Sequence, residues 1–393
     1  MKINSNYLNL KDNYLFKTVK KKVNDFILKN PGKKIINLGI GDVTLPICKC
    51  AVDAANNATI GMGRAETFKG YGPDGGYEFL REKIAEKYYS RSVKIKTDEI
   101  FVSDGAKSDI SGILDIFSLE NVCLVPDPVY PVYSDSNIMD GRQIVYLNAN
   151  EENEFLPLPE DRYAADIIYI CSPNNPTGSV YTAEMLKKWV NFANSNDSII
   201  LFDAAYEAFI SEKKLPHSIF EIEGSKTCAI EINSFSKSAG FTGMRCAYMI
   251  IPHELVREGV SINKLWGKRI SVKFNGVSYV IQRAAESVLT NEGNLQCKNL
   301  LTYYRENARI TSSTLRNSKV RFFGGENSPY IWMKCPENIK SWDFFDYLLE
   351  NFGVVGVPGS GFGKNGEGYF RFTTFGKRED INEAARIIGG VFS

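Results

Sequence analysis

The 393-residue sequence predicts an α/β fold: a large domain with a mostly parallel sheet flanked by helices, plus a smaller α+β domain. Three observations carry this. Apolar runs ending at Ser103, Val125, Cys171, Phe202 and Asn233 alternate with amphipathic segments, the pattern of a parallel sheet covered on both faces. Polar residues cluster directly after those runs or in Gly/Pro-rich turns, where an open sheet presents its ligand crevice. A hydrophobic share of 44% over this length supplies more core than one small domain needs. The divisions expected are an N-terminal arm and part of the small domain (1–47), a large ligand-binding domain (48–293) and a C-terminal small domain (294–393).

In chain order, Leu15, Val19, Val23, Phe26 and Ile27 space a helix over residues 14–28, stopped by Asn30-Pro31-Gly32. A short strand at 34–38 runs into Gly39-Ile40-Gly41-Asp42, whose glycines permit close backbone approach. The loop Gly70-Tyr71-Gly72-Pro73-Asp74-Gly75-Gly76 precedes a helix at 77–89. A strand at 99–103 then leads through Asp104-Gly105-Ala106-Lys107 into a helix at 108–118, a place suited to an anion. The next strand, 121–125, ends in a proline-braced Tyr130, and the one at 166–171 ends in Ser172-Pro173-Asn174-Asn175-Pro176-Thr177-Gly178, where an Asn amide is held stiffly. A helix over 182–194 follows, then a strand at 198–202 carrying Asp203 at its end with Tyr206 three residues on. Beyond Arg245 the reading is a strand at 246–251, helices at 253–260 and 278–289, and a long helix at 294–315. The small domain has strands at 330–334 and 369–374 and helices at 342–351 and 380–392.

Composition excludes several functions. Lys plus Arg is 47 against 46 for Asp plus Glu, so no nucleic acid partner is implied. No run is long and apolar enough to span a membrane, and the first residues lack a signal-peptide core, so a soluble cytoplasmic protein with no membrane contact is expected. Eight scattered cysteines and two histidines, His217 and His253, supply neither a disulfide framework nor a metal site nor a Ser-His-Asp triad.

The segment from Glu231 to Cys246, EINSFSKSAGFTGMRC, carries the chemistry. It sets Ser234 and Ser236 beside Lys237, then small residues, then Arg245. A lysine amine with a lowered pKa forms a Schiff base with an aldehyde, while hydroxyls, close backbone and a guanidinium suit a phosphate. Both features meet in pyridoxal 5'-phosphate. Ser234 to Lys237 also fits the SxxK motif of penicillin-recognising enzymes, but the companion motifs of that family are missing. Gly361 to Gly366 matches a dinucleotide GxGxxG, yet it precedes a strand and leaves too little chain for a βαβ unit, so a flexible loop is expected there.

SPNNPTG, D-x-x-Y and SFSK, with an arginine eight residues after the lysine, resemble the fold-type I pyridoxal-phosphate aminotransferases. Over the whole chain, NLGIGD, ETFKGYG, SDGAKSDI, DPVYPVY, KFNGVSY, YYRENARI and GEGYFR narrow the resemblance to the diaminopimelate branch of that family. The resemblance implies that Lys237 bonds the cofactor and shuttles a proton, that Asp203 pairs with the pyridine nitrogen, and that Tyr206 and Asn175 address the ring oxygen. It implies that Tyr130 stacks on the ring, and that Ser234, Ser236, Arg245, Ala106, Lys107 and Tyr71 of the partner subunit hold the phosphate. Arg371 would grip the substrate α-carboxylate with Gly41 above it, and Tyr14, Lys107, Asp74 and Asn275 would reach the distal end of a long substrate. Implied too are a homodimer with shared sites and amino-acid and 2-oxo-acid substrates, LL-2,6-diaminopimelate and 2-oxoglutarate. One departure stands out: the family usually reads GYGPEQG where this chain has Asp74-Gly75. Asp74 is either a shortened substrate contact or an ordinary turn residue. A related aminotransferase with another long substrate, or a cofactor-binding regulator without turnover, are the competing readings.

Overall fold

The computed structural model describes residues 1–10 and 15–392. Its centre is a seven-stranded sheet in the order Ile100–Ser103, Ala247–Ile250, Ala229–Ser234, Ile199–Asp203, Ile167–Cys171, Cys123–Asp127, Ile144–Asn148. Ala247–Ile250 runs antiparallel to both neighbours, and the other neighbouring pairs are parallel. Ile167–Cys171 and Ile199–Asp203 are buried at every position, which is why they read as unbroken apolar runs rather than alternating ones. Two apolar clusters cover the sheet. One includes Leu186, Trp189 and Val190 from the helix Ala183–Ser195, and the other Ile110, Leu114 and Trp266.

A four-stranded antiparallel sheet, Phe322–Gly324, Tyr330–Lys334, Tyr369–Thr373 and Val357–Pro358, forms a second centre. Its core takes Leu15, Val19 and Val23 from the helix Leu15–Lys29 and Ile36 and Leu38 beyond it, so residues near the N-terminus pack with the C-terminal third. The helix Asn291–Asn317 links the two centres, giving Cys297 to the first core and Leu315 to the second; the Thr290 hydroxyl caps its start. No helix among the described residues is long and apolar enough to cross a membrane.

Two expectations are corrected. Residues 253–260 are not helical: Val256–Arg257 and Val260–Ser261 pair as a hairpin about Glu258 and Gly259, both at positive φ, and the helix begins at Ile262, where the Ser261 side chain accepts from Lys264 N. Positive φ at two successive residues is the geometry of a tight hairpin turn, and it stops a helix outright. Residues 361–366 are a packed turn: Lys364 N and Asn365 N donate to the Asp127 carboxylate at 3.0 and 3.2 Å. The helices Lys49–Met62 and Val132–Asp140 and the strand Ile144–Asn148 were not anticipated.

Candidate active site

Parallel strands deliver their C-terminal ends to one side of the sheet, and a cavity of about 810 Å³ opens there. The strand Ala229–Ser234 passes into a single helical turn, Phe235–Ser238, started by the Ser234 hydroxyl, which accepts from Ser236 N at 3.1 Å. That turn raises Lys237 into the cavity. Burial pushes the lysine down to about 8; Asp42 opposes the shift, while Arg245 and Arg371 add to it.

Asp203, at the end of Ile199–Asp203, is buried, and burial raises its pKa. Two donors favour its ionised form, the Tyr133 hydroxyl at 2.6 Å and Ala205 N at 3.0 Å. Tyr133 is itself fixed by stacking on Tyr169, with centroids 5.0 Å apart and planes 17° from parallel. The Tyr206 and Tyr330 hydroxyls lie 2.7 Å apart, and burial holds the Tyr206 phenol well above its ordinary pKa.

Arg371 projects from Tyr369–Thr373 and is 1% exposed. Its Nη1 donates to Asn175 Oδ1 at 2.6 Å and its Nη2 to the Gly39 carbonyl at 2.7 Å, while Nε has no partner among the described residues. Rings of Tyr330, Phe362 and Phe16 surround the guanidinium at 4.5, 4.9 and 5.6 Å. A buried guanidinium held by neutral acceptors keeps its charge available for an incoming carboxylate. Gly41 closes over this region, and a Cβ there would come within 2.3 Å of the Tyr330 hydroxyl.

At the other end, Gly105 (φ +153°) starts the helix Ala106–Gly112 against Arg245, and a Cβ on it would meet Arg245 Nη2 at 2.2 Å. Arg245 also has positive φ and donates from Nη1 to the Thr242 carbonyl at 3.1 Å. Lys107 Nζ lies 5.8 Å from the Tyr130 ring centroid, and burial, then Arg245, lowers its pKa.

Among the residues anticipated, the cavity brings together Gly41, Ala106, Lys107, Tyr130, Asn175, Asp203, Tyr206, Ser234, Ser236, Lys237, Arg245 and Arg371. Tyr71, Asp74 and Asn275 do not line it. Tyr71 is 92% exposed, and Asp74 accepts from Ser271 Oγ at 2.8 Å. Asn275 is exposed on the loop whose Gly276 lies against the Pro73 carbonyl. Tyr14 lies outside the described residues. Sequence reasoning missed Tyr133 and Tyr330. The first follows the proline-braced Tyr130 by three residues, in the first turn of the helix Val132–Asp140, which was a usable signal; the second starts a strand whose place beside Arg371 no local pattern encodes.

Residues 33–388 match the family model described as "Aminotransferase class I and II". The chain is 51% identical over 402 aligned positions to LL-diaminopimelate aminotransferase of Prochlorococcus marinus subsp. pastoris, covering 98% of each chain. It superposes on L,L-diaminopimelate aminotransferase from Chlamydomonas reinhardtii with a TM-score of 0.95 and 38% identity, covering 100% of this chain and 99% of that one. The substrate-bound BacF structure from Bacillus subtilis is more distant, with a TM-score of 0.87, 29% identity and coverage of 100% and 98%.

Proposed function

The chain belongs to the class I and II aminotransferases, a pyridoxal-phosphate-dependent family, and from that premise we propose that it exchanges amino groups between LL-2,6-diaminopimelate and 2-oxoglutarate. The products are glutamate and a keto acid that cyclises to tetrahydrodipicolinate, and in the cell the reaction runs toward diaminopimelate. The observation that carries the reading is one cavity holding a lysine amine shifted to about 8, a buried carboxylate and an arginine without a carboxylate partner among the described residues.

The donor set fits pyridoxal phosphate. Arg245, Ser234, Ser236 and the start of the helix Ala106–Gly112 gather anion-binding groups at one end, with a glycine where a Cβ would displace the guanidinium. Asp203 lies opposite with its ionised form supported by Tyr133, suited to a protonated pyridine nitrogen. Tyr130 offers a ring face, and Asn175 and Tyr206 offer polar groups between the two ends. When bound, the cofactor supplies an aldehyde that captures the amine and a ring that accepts the electrons of the broken Cα–H bond.

The chain's own residues do the rest. Arg371 exchanges part of its contact with Asn175 and Gly39 for the substrate α-carboxylate, taken bidentately. Lys237 in its neutral form would remove the α-proton and return it across the amine nitrogen to the carbon that was the cofactor's aldehyde, a task for which a pKa near the working pH is suited. Aromatic rings about Arg371 exclude water and strengthen the pairing. In a homodimer, Tyr71 of the partner subunit reaches the phosphate, and Tyr14, Asp74 and Asn275 complete the distal substrate pocket with Lys107.

The test is glutamate formation by purified, cofactor-loaded protein from 2-oxoglutarate and one amino donor at a time. LL-diaminopimelate should outperform meso-diaminopimelate, lysine and phenylalanine. Preference for an aromatic or basic donor would leave the aminotransferase in place and reject the substrate.

A further inference from the structure

A second cavity, of about 510 Å³, lies behind the turn that carries Lys237: Asn233, Phe235 and Ser238 form part of its wall, and Lys237 does not. Its lining has five Lys and Arg side chains against two carboxylates. Lys83 and Glu86 offset one another at 2.7 Å. Glu207 takes both Lys87 at 2.7 Å and Arg91 at 3.0 Å, with His217 Nδ1 also within 3.1 Å, so one carboxylate faces two permanent cations. Lys298 and Arg305 pair with no carboxylate among the described residues.

Arg305 is the informative group. It donates from Nη2 to the Ala208 carbonyl at 2.7 Å, its buried Nε has no partner among the described residues, and burial alone lowers its pKa. Asn233 is 3% exposed, and its Nδ2 likewise has no partner among the described residues. Half-burying a guanidinium without a counter-charge is costly, and so is leaving a buried amide donor unpaired. Both costs sit in the walls of one cavity with surplus positive charge.

We propose that this cavity is a second binding site, for a compact polyanion bearing carboxylate or phosphate groups. Its volume falls in the range of small-molecule sites. The anion would bridge Arg305 and Lys298 near the end of the strand that leads into the Lys237 turn, on the face away from the chemistry. Nothing in the transamination reaction uses these groups, so the site is separate from the proposed activity.

The experiment is calorimetric titration of the cofactor-loaded holoenzyme with citrate and, separately, with inorganic phosphate; cofactor loading keeps the phosphate end of the active site occupied. The wild type should bind at least one of the two, the better ligand identifying the preferred anion class. Lys298→Glu, at an exposed position where folding is not at risk, and Arg305→Gln should each weaken that binding about tenfold or more. Absence of binding by both anions at 10 mM, an arbitrary upper limit of roughly weak-millimolar affinity, would overturn the site. Binding of wild-type strength in Lys298→Glu would overturn it equally, because the anion would then be held elsewhere.

Discussion

Lys237 is useful only when it is neutral, and its burial beside Arg245 and Arg371 sets the pH at which that happens. Capture of pyridoxal phosphate by cofactor-free protein should therefore accelerate as pH rises through about 8, measured by stopped-flow absorbance. Stability follows from the same shift. The unfolded lysine titrates near 10.5 and the folded one near 8, so between these values the unfolded chain binds more protons and stability rises with pH. Below about 8 both forms are charged, and the cost of burying that charge is fully present. In urea denaturation of cofactor-free protein, the difference in unfolding free energy, wild type minus Lys237→Ala, should grow over this window and be flat below it. The same variant should lose turnover by on the order of a thousandfold or more while remaining folded. Tyr133 acts one step removed, through Asp203. Tyr133→Phe keeps the ring on Tyr169 but deletes the 2.6 Å donor to the carboxylate, so the Asp203 pKa rises further. A hydrogen bond to a charged group is worth about 1.5–3 kcal/mol, so kcat should fall roughly tenfold or more, with the acid limb of its pH profile moved to higher pH. An unchanged profile would assign Tyr133 to packing alone.

Helix starts and strand ends, rather than their middles, hold the site, and that decides both what can be broken and what could be read. Gly105 opens the helix Ala106–Gly112 at a φ that L side chains rarely adopt, with Arg245 pressed against it. Gly105→Ala should displace the guanidinium, weaken cofactor retention by about tenfold or more in equilibrium dialysis, and lower the melting temperature of the cofactor-free protein, because the strain at that φ exists in the folded state alone. The strand-end residues were legible because each follows an apolar run that cannot be amphipathic: Asp203 after SIILF and Asn175 after the buried run ending at Cys171. The helix Lys49–Met62 was not legible, since its fully buried contacts are only Ala51 and Ala58, and small residues leave no apolar stripe. Residues 253–260 form a hairpin instead of a helix because Glu258 and Gly259 both take positive φ, and Glu258 gives no local sign of doing so. Contacts between elements lay further out of reach. Tyr133 and Asp203 are 70 residues apart, and Tyr206 and Tyr330 are 124 apart, so only tertiary packing joins them.

At the scale of the molecule, one chain builds the chemistry but leaves part of the expected machinery in solvent. Tyr71 is 92% exposed and Phe68 60% exposed, on a stretch of consecutive exposed residues from Gly63 to Tyr71. Large aromatic surface is rarely left uncovered, and a two-fold dimer covers such a stretch with the same surface of a second copy. If Tyr71 then serves the neighbour's cofactor, each site needs Lys237 from one chain and Tyr71 from the other. Lys237→Ala and Tyr71→Ala proteins, each of low activity alone, can be unfolded together and refolded as a mixture. A hybrid then contains one site with both native residues and one with neither. Random pairing makes about half of the dimers hybrid, so the mixture should recover roughly a quarter of wild-type activity, well above either parent. Sites confined to single chains give no such recovery, because no chain in the mixture carries both residues. The outcome therefore decides whether Tyr71 serves its neighbour's site or its own chain's, independently of which amino acid the enzyme prefers.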